Sequence, residues 1–317
     1  MTVGLFRVEL PDGSVRLARG PVDGGPAELL ADGLTVEILL RRGEDGLGAA
    51  LENDGSGAAV PAGSRPLAPV DSQEVWAAGV TYERSRDARM EESAEASVYD
   101  RVYDAPRPEL FFKAPGWRVR GSGEPIGIRI DSDWDVPEPE LAVVVASDLT
   151  IAGFTIGNDM SSRSIEGDNP LYLPQAKTYD GSCALGPALV PVSVVSPPFP
   201  LRLVVLRDGA AIVDEATTSA RIRRPLAELV EYLGRALELP SGAILLTGTG
   251  IVPGGTFSLR EGDAVRIEAG PLGTLENPVV RVGRAAGSAA AEGSLAAEES
   301  PAAEGSPAAP AQSASSP

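Results

Sequence analysis

The stretch that most restricts the fold is LAVVVA, Leu141 to Ala146. A run without polar interruption fits a strand covered on both faces. It is preceded by DVPEPE, in which Pro137 and Pro139 alternate with Glu138 and Glu140. Prolines are unwelcome inside a central strand, so the two glutamates belong at its mouth or at an edge. Their spacing puts both carboxylates on one face, where they repel each other unless a cation or proton intervenes. A second apolar run, Leu149 to Ile156, leads to Asp159 at a point where the chain must leave the sheet. Lys177 follows beyond a Pro-containing loop. Three hard oxygen donors on one surface suit Mg²⁺, Mn²⁺ or Ca²⁺, and a nearby lysine suits proton transfer. Two plainer readings stay open here. Glu138 and Glu140 can sit on a solvated edge, and Asn158-Asp159 before Ser161-Ser162 can be a helix cap.

Two absences narrow the chemistry. The chain has no histidine, which rules out a Ser-His-Asp triad, a Cys-His pair and His-ligated zinc. Of its 27 basic residues only Lys113 and Lys177 are lysines, and both lie in the chemically suggestive part of the chain. Arginine cannot lose its proton in a protein whereas a buried lysine can, so at least one of the two is expected to titrate. The single cysteine, Cys183, forbids an internal disulfide and reads as a small buried apolar residue. That usage, with no signal-like N-terminal segment, predicts a cytoplasmic protein. A net charge of −18 argues against nucleic acid and anionic membranes as partners. No apolar run reaches the length of a transmembrane helix.

At 317 residues the chain has room for one large or two modest domains. Residues 1–70 read as a small β-rich N-terminal domain: GLFRVEL and VRLAR alternate around a PDGS turn, and Leu34 to Leu40 is expected to add a strand. Residues 71–283 read as the catalytic domain. There VWAAGV and PELFFKAPG are strands, and the charged segment 84–104 reads as a lid or as an ordinary solvated surface helix. Leu201 to Val213 reads as a hairpin with Asp208-Gly209 in the turn. Leu226, Leu229, Val230, Leu233 and Leu237 mark a helix between Pro225 and Pro240. In AILLTGTG, Gly248 and Gly250 let the backbone at Thr249 approach a ligand closely. Residues 284–317, rich in Ala, Ser, Gly, Glu and Pro, read as a disordered tail.

Four separated motifs occur in order: the E-x-E of Glu138 and Glu140, NDMSSR at Asn158 to Arg163, Lys177 followed by Gly186-Pro187, and TGTG at Thr247 to Gly250. Together they resemble the fumarylacetoacetate hydrolase family over roughly residues 71–283. GVTYERSRDARMEES, PELFFKAPG and EGDNPLYLPQAK are similar to its 2-keto-3-deoxy-D-arabinonate dehydratase branch. The resemblance implies an α+β, mainly β fold with a mixed β-roll, a homodimer, and Mg²⁺ (Mn²⁺ as the alternative) on Glu138, Glu140 and Asp159. It also implies an active-site lysine at Lys177 and a substrate-contacting threonine at Thr249. Lys113 and Arg163 are further candidate substrate-binding residues. Ser164 stands where the family motif usually has Asp.

The C–C hydrolases of the family activate water with a histidine, which this chain lacks, so dehydration of a small 2-oxo acid is the expected reaction. A 2-oxo acid chelates a divalent ion, which stabilises the enolate. Neutral Lys177 then takes the C3 proton, for which its pKa must fall from about 10.4 to ~7–8. Protonated Lys177, Glu166 or Glu109 then assists departure of the C4 hydroxyl. Another reaction of the family (isomerase, decarboxylase or hydrolase) and non-catalytic metal and oxo-acid binding are the competing readings.

Overall fold

The computed structural model describes residues 1–85 and 101–284. The expected lid falls largely on residues 86–100, and the expected tail on 285–317, both outside the described residues.

The leading segment holds β1 (Val3–Glu9), β2 (Val15–Pro21), β3 (Glu28–Leu30), α1 (Val36–Leu40), α2 (Gly46–Asn53), β4 (Gly55–Ala59) and β5 (Arg65–Leu67). The strand expected at Leu34 to Leu40 is instead a short helix. Thr35 caps it, its side chain accepting from the Ile38 N–H, and Asp71 accepts from the Val36 N–H at 2.7 Å. Two orphan amide donors are thereby satisfied, which an alternating-pattern reading does not weigh.

Then come β6 (Glu74–Gly79), β7 (Glu109–Pro115), β8 (Ile126–Arg129), β9 (Asp135–Val136), β10 (Pro139–Val145), β11 (Ile151–Asp159) and β12 (Ser161–Ser162). Two short helices follow, α3 (Arg163–Asp168) and α4 (Leu173–Lys177), and next β13 (Cys183–Pro191), β14 (Pro200–Arg207) and β15 (Ala210–Thr218). The chain closes with α5 (Leu226–Gly234), β16 (Ala243–Leu246), β17 (Ala264–Glu268) and β18 (Thr274–Val282). The hairpin with Asp208-Gly209 at its turn and the helix after Pro225 stand where the sequence puts them.

Among the described residues the strands form an 11-stranded sheet, a 5-stranded sheet and a two-stranded pair of β9 with β12. The large sheet runs β4-β3-β2-β1-β13-β11-β10-β16-β6-β7, with β5 paired to β1. It is mixed: β10 is antiparallel to β11 and β16, and β16 is parallel to β6.

The uninterrupted apolar run of β10 now has its reason. Leu141, Val143 and Val145 face a core shared with Leu201, Leu203 and Val205 of β14 and Leu229 and Leu233 of α5. Ala142, Val144 and Ala146 face a second core with Leu39, Leu40 and Leu47 of the leading segment. Alternate residues point to opposite faces, and both faces are covered. Each buried Val or Leu contributes about 1.5–3 kcal/mol, so β10 is an anchored support for whatever stands at its end.

Candidate active site

At that end stand Glu138 and Glu140, on the face continued by Ala142 and Val144. Antiparallel pairing of β10 with β11 brings Asp159, the last residue of β11, beside them. The Asp159 N–H donates to the Glu138 carbonyl at 3.0 Å, and the Glu138 N–H to Asn158 Oδ1 at 3.3 Å. One oxygen from each of Glu138, Glu140 and Asp159 lies within 4.8 Å of the others, and all three residues are buried. The solvated-edge reading of the glutamates is therefore set aside. So is the helix-cap reading of Asp159: the side chain that caps α3 is Ser162, which accepts from the Ile165 N–H.

Lys177 closes α4 with its side chain buried. Its Nζ donates to Glu138 Oε2 at 2.7 Å, Asp159 Oδ2 at 3.1 Å and Ser161 Oγ at 2.6 Å, and lies 5.6 Å from the centre of the Phe111 ring. Arg163, at the start of α3, reaches back to Glu138 Oε1 at 2.7 Å and to Glu166 Oε2 at 3.5 Å. Ser164 joins a hydroxyl cluster instead, 3.0 Å from Ser132 Oγ. Lys113, wholly buried in β7, sits 2.5 Å from Asp159 Oδ1 and donates to the carbonyls of Met160 and Lys177.

A cavity opens over this cluster, lined among others by Gly79, Ser85, Glu109, Phe111, Glu166 and Thr249, together with Glu138, Glu140, Asp159 and Lys177. Glu109 rests against Gly79, where a Cβ would come within 2.1 Å of its Oε2. Thr249 is on the wall, its hydroxyl donating to the Ile251 carbonyl at 3.1 Å. Gly248 has φ +88, and a Cβ there would lie 2.1 Å from Thr81 Oγ1. Glycine lets that turn form, and its N–H donates to Glu140 Oε2 at 2.7 Å. Val80, also on the wall, has φ 52, a costly conformation for a β-branched residue. Lys113 and Arg163 are not on this wall; they lie behind the carboxylates they hold.

The charges are unevenly compensated. Glu138 faces both Lys177 and Arg163, and Asp159 faces both lysines, whereas Glu140 has the Gly248 N–H. Burial first, then the charges of Asp159 and Glu138, push the Glu140 carboxyl well above the usual range, with Lys177 and the Gly248 N–H opposing. Four buried carboxylates (Glu138, Glu140, Asp159, Glu166) meet three buried cations (Lys113, Arg163, Lys177). The chemistry of this donor set, all oxygen and short of positive charge at Glu140, fits a hard divalent ion. Burial pushes the Cys183 thiol up to about 12, which leaves it inert.

Sequence reasoning missed Ser161 as a partner of Lys177, and Ser85 and Phe111 on the wall. Phe111 had a usable signal: Glu109 and Phe111 stand two apart in the regular part of β7 and so share one face. Ser161 read only as a cap residue, and Ser85 stood in a charged stretch with no distinguishing pattern.

Residues 74–280 match the model of the fumarylacetoacetate (FAA) hydrolase C-terminal domain. The chain belongs to the fumarylacetoacetate hydrolase family. Among its relatives, a probable 2-keto-3-deoxyxylonate dehydratase of Haloferax volcanii is 51% identical over 216 residues, covering 68% of this chain and 74% of the relative. The 2-dehydro-3-deoxy-D-arabinonate dehydratase of Saccharolobus solfataricus is 44% identical over 217 residues, with 67% and 73% covered. Among solved structures, a 2-keto-3-deoxy-D-arabinonate dehydratase complexed with magnesium and 2,5-dioxopentanoate superposes with a TM-score of 0.76 at 34% identity. It covers 88% of this chain and 99% of that one. The mainly β, mixed-sheet fold expected from the sequence is the fold of this family.

Proposed function

We propose that this chain is a Mg²⁺-dependent hydro-lyase that dehydrates a 2-keto-3-deoxy sugar acid of the arabinonate type to 2,5-dioxopentanoate (2-oxoglutarate semialdehyde). The observation that carries the reading is the buried Lys177 ammonium, which bridges two of three clustered carboxylates on the wall of a cavity that also holds Glu109 and Glu166. The relatives' activities point the same way. Glu138, Glu140 and Asp159 would hold the magnesium ion, which would supply Lewis acidity to stabilise the enolate of a 2-oxo acid.

With a divalent ion on Glu138 and Asp159, Lys177 would lose the charges that hold its proton, which can pass to solvent, and as the neutral amine it would take a proton from C3. The C3–H electron pair becomes the C3–C4 double bond as the C4–O bond breaks, and Glu166 or Glu109 protonates the departing hydroxide to water. The same carboxylate then accepts a proton from C5 while Lys177 returns its proton to C3. The resulting enol tautomerises to the aldehyde, so the net change is loss of one water. Lysine suits this exchange because it can cycle its proton, whereas arginine cannot. Thr249 is proposed to contact substrate, its hydroxyl exchanging the Ile251 carbonyl for the ligand.

Glu166 and Arg163 share a contact at 3.5 Å, which ties the candidate acid to the group that holds Glu138. The absence of histidine disfavours the hydrolytic reaction of the family. A homodimer, a cytoplasmic location and a division at about residue 70 between leading and catalytic domains complete the proposal. Among the described residues no helix is long and apolar enough to cross a membrane.

The test is turnover of 2-keto-3-deoxy-D-arabinonate by the purified protein with Mg²⁺ and with EDTA, followed as formation of the semialdehyde. Metal-dependent product is expected. Absence of product, with Mg²⁺-dependent decarboxylation of oxaloacetate or cleavage of acylpyruvates, would move the function to another reaction of the family.

A further inference from the structure

Each proposed magnesium ligand is held by one oxygen from inside the protein. Arg163 Nη2 holds Glu138 Oε1 at 2.7 Å. Lys113 Nζ holds Asp159 Oδ1 at 2.5 Å. The Gly248 N–H holds Glu140 Oε2 at 2.7 Å. These donors come from three separate elements (α3, β7 and the turn after β16), and both side-chain donors are buried. The Lys113 ammonium also donates to the Met160 and Lys177 carbonyls, which fixes it beside Asp159. Lys177, on the opposite side, touches Glu138 Oε2 and Asp159 Oδ2, the oxygens that the other two cations leave on the cavity side.

We propose that Lys113, Arg163 and the Gly248 N–H are selectivity pins: by occupying one oxygen of each carboxylate they leave only single-oxygen ligation to an ion, which favours Mg²⁺ over Ca²⁺. Calcium takes six to eight oxygens at variable geometry and gains from bidentate carboxylates, whereas magnesium requires a small, near-octahedral shell. A tethered carboxylate cannot rotate to chelate with both oxygens unless its internal partner is left buried and unpaired, which costs several kcal/mol. Lys113 and Arg163 are thus positioning residues for the ion, acting through Asp159 and Glu138. This inference rests on the magnesium reading above.

The experiment is direct binding of Mg²⁺ and of Ca²⁺ by titration calorimetry, with the wild-type protein and with Lys113→Met, Lys113→Arg and Arg163→Gln. The wild type is expected to bind Mg²⁺ at least as tightly as Ca²⁺. Lys113→Met and Arg163→Gln are each expected to shift the affinity ratio toward Ca²⁺ by about tenfold or more, within the range that ligand-supporting residues command. Lys113→Arg keeps a buried cation beside Asp159 and is expected to restore most of the wild-type ratio. A wild type that prefers Ca²⁺ overturns the proposal even if the variants do not fold. So does a ratio that stays within about twofold in either folded variant. Wild-type protein that binds neither ion would instead remove the magnesium reading itself.

Discussion

Arg163 and Arg202 each hold a carboxylate at 2.7 Å, Glu138 in one case and Asp214 in the other. The Arg163 side chain is 2% exposed and that of Arg202 is 45% exposed. Arg202 lies on the outer 5-stranded sheet, where it also reaches Glu268 at 3.1 Å and bridges β14, β15 and β17. Water and salt screen that pair, and such contacts contribute little. Around Arg163 there is little water to screen anything, so removing one partner leaves a charge stranded in a low-dielectric interior. Equal distances therefore carry different weight. At the surface an ion pair accompanies a fold that other forces hold. In the site the ion pairs decide which oxygens remain for a ligand.

The sharpest way to exploit this contrast is Lys177→Met, which keeps the volume of the side chain and removes the proton carrier. Turnover is expected to fall by about 10²–10⁴-fold, measured as semialdehyde release at saturating Mg²⁺. Retention of full turnover would sink the role given to Lys177. Next, Arg163→Met is expected to cost about 3–5 kcal/mol in urea unfolding of the metal-free protein. Arg202→Met should leave the same curve unchanged. Equal effects of the two would erase the distinction between buried and surface pairs.

Glu140→Gln tests the carboxylate with least compensation. It removes one member of a repelling cluster, so the metal-free protein is expected to melt higher than wild type. The stabilisation that Mg²⁺ gives the wild type by mass action should largely vanish in this variant. Thermal melts with and without Mg²⁺ read both effects, and a lower melting point for the metal-free variant would contradict the charge accounting.

The smallest effect concerns Asp135, beside the site on β9. Burial raises its carboxyl to about 6 from an ordinary 3.8. Between those two values the unfolded chain has released the proton and the folded chain still holds it. Stability therefore falls as pH rises through that window, and the penalty is complete above about 6. Solvent screening trims it to about 1–2 kcal/mol. Asp135→Asn is expected to be the more stable protein at pH 7 and to match wild type at pH 3.5, in urea titrations at the two pH values. An unchanged difference between them would refute the shift.

Much of this was legible beforehand because it rests on local pattern. The two-sided burial of β10 follows from Leu141 to Ala146, the hairpin from Asp208-Gly209, and the gathering of Glu138, Glu140, Asp159 and Lys177 from proline spacing, charge and the motifs. What escaped the sequence depends on contacts between distant segments. That Lys113 sits behind Asp159, and Arg163 behind Glu138, follows from the packing of β7 on β6 and α4 and of α3 on β9 and β12. No spacing along the chain encodes it. Helix α1 was misread because its stabilising partners, the Thr35 side chain and Asp71, include one from 35 residues away.

The hydrogen bond from Gly248 to Glu140 closes 108 residues of chain, and the donation from Lys113 to the Lys177 carbonyl closes 64. A centre assembled from such distant pieces has no precursor in any local segment. The loop-closure entropy for those contacts must be overcome before an ion has anywhere to bind. An ion held there, as proposed for magnesium, would therefore arrive late in folding, as a lock on a finished sheet rather than a seed for it. Its mark on kinetics would belong to the reverse journey: the ion would slow unfolding and leave the folding rate almost untouched. For the living cell, a passing shortage of magnesium would shorten the lifetime of the folded molecule without slowing the birth of new ones.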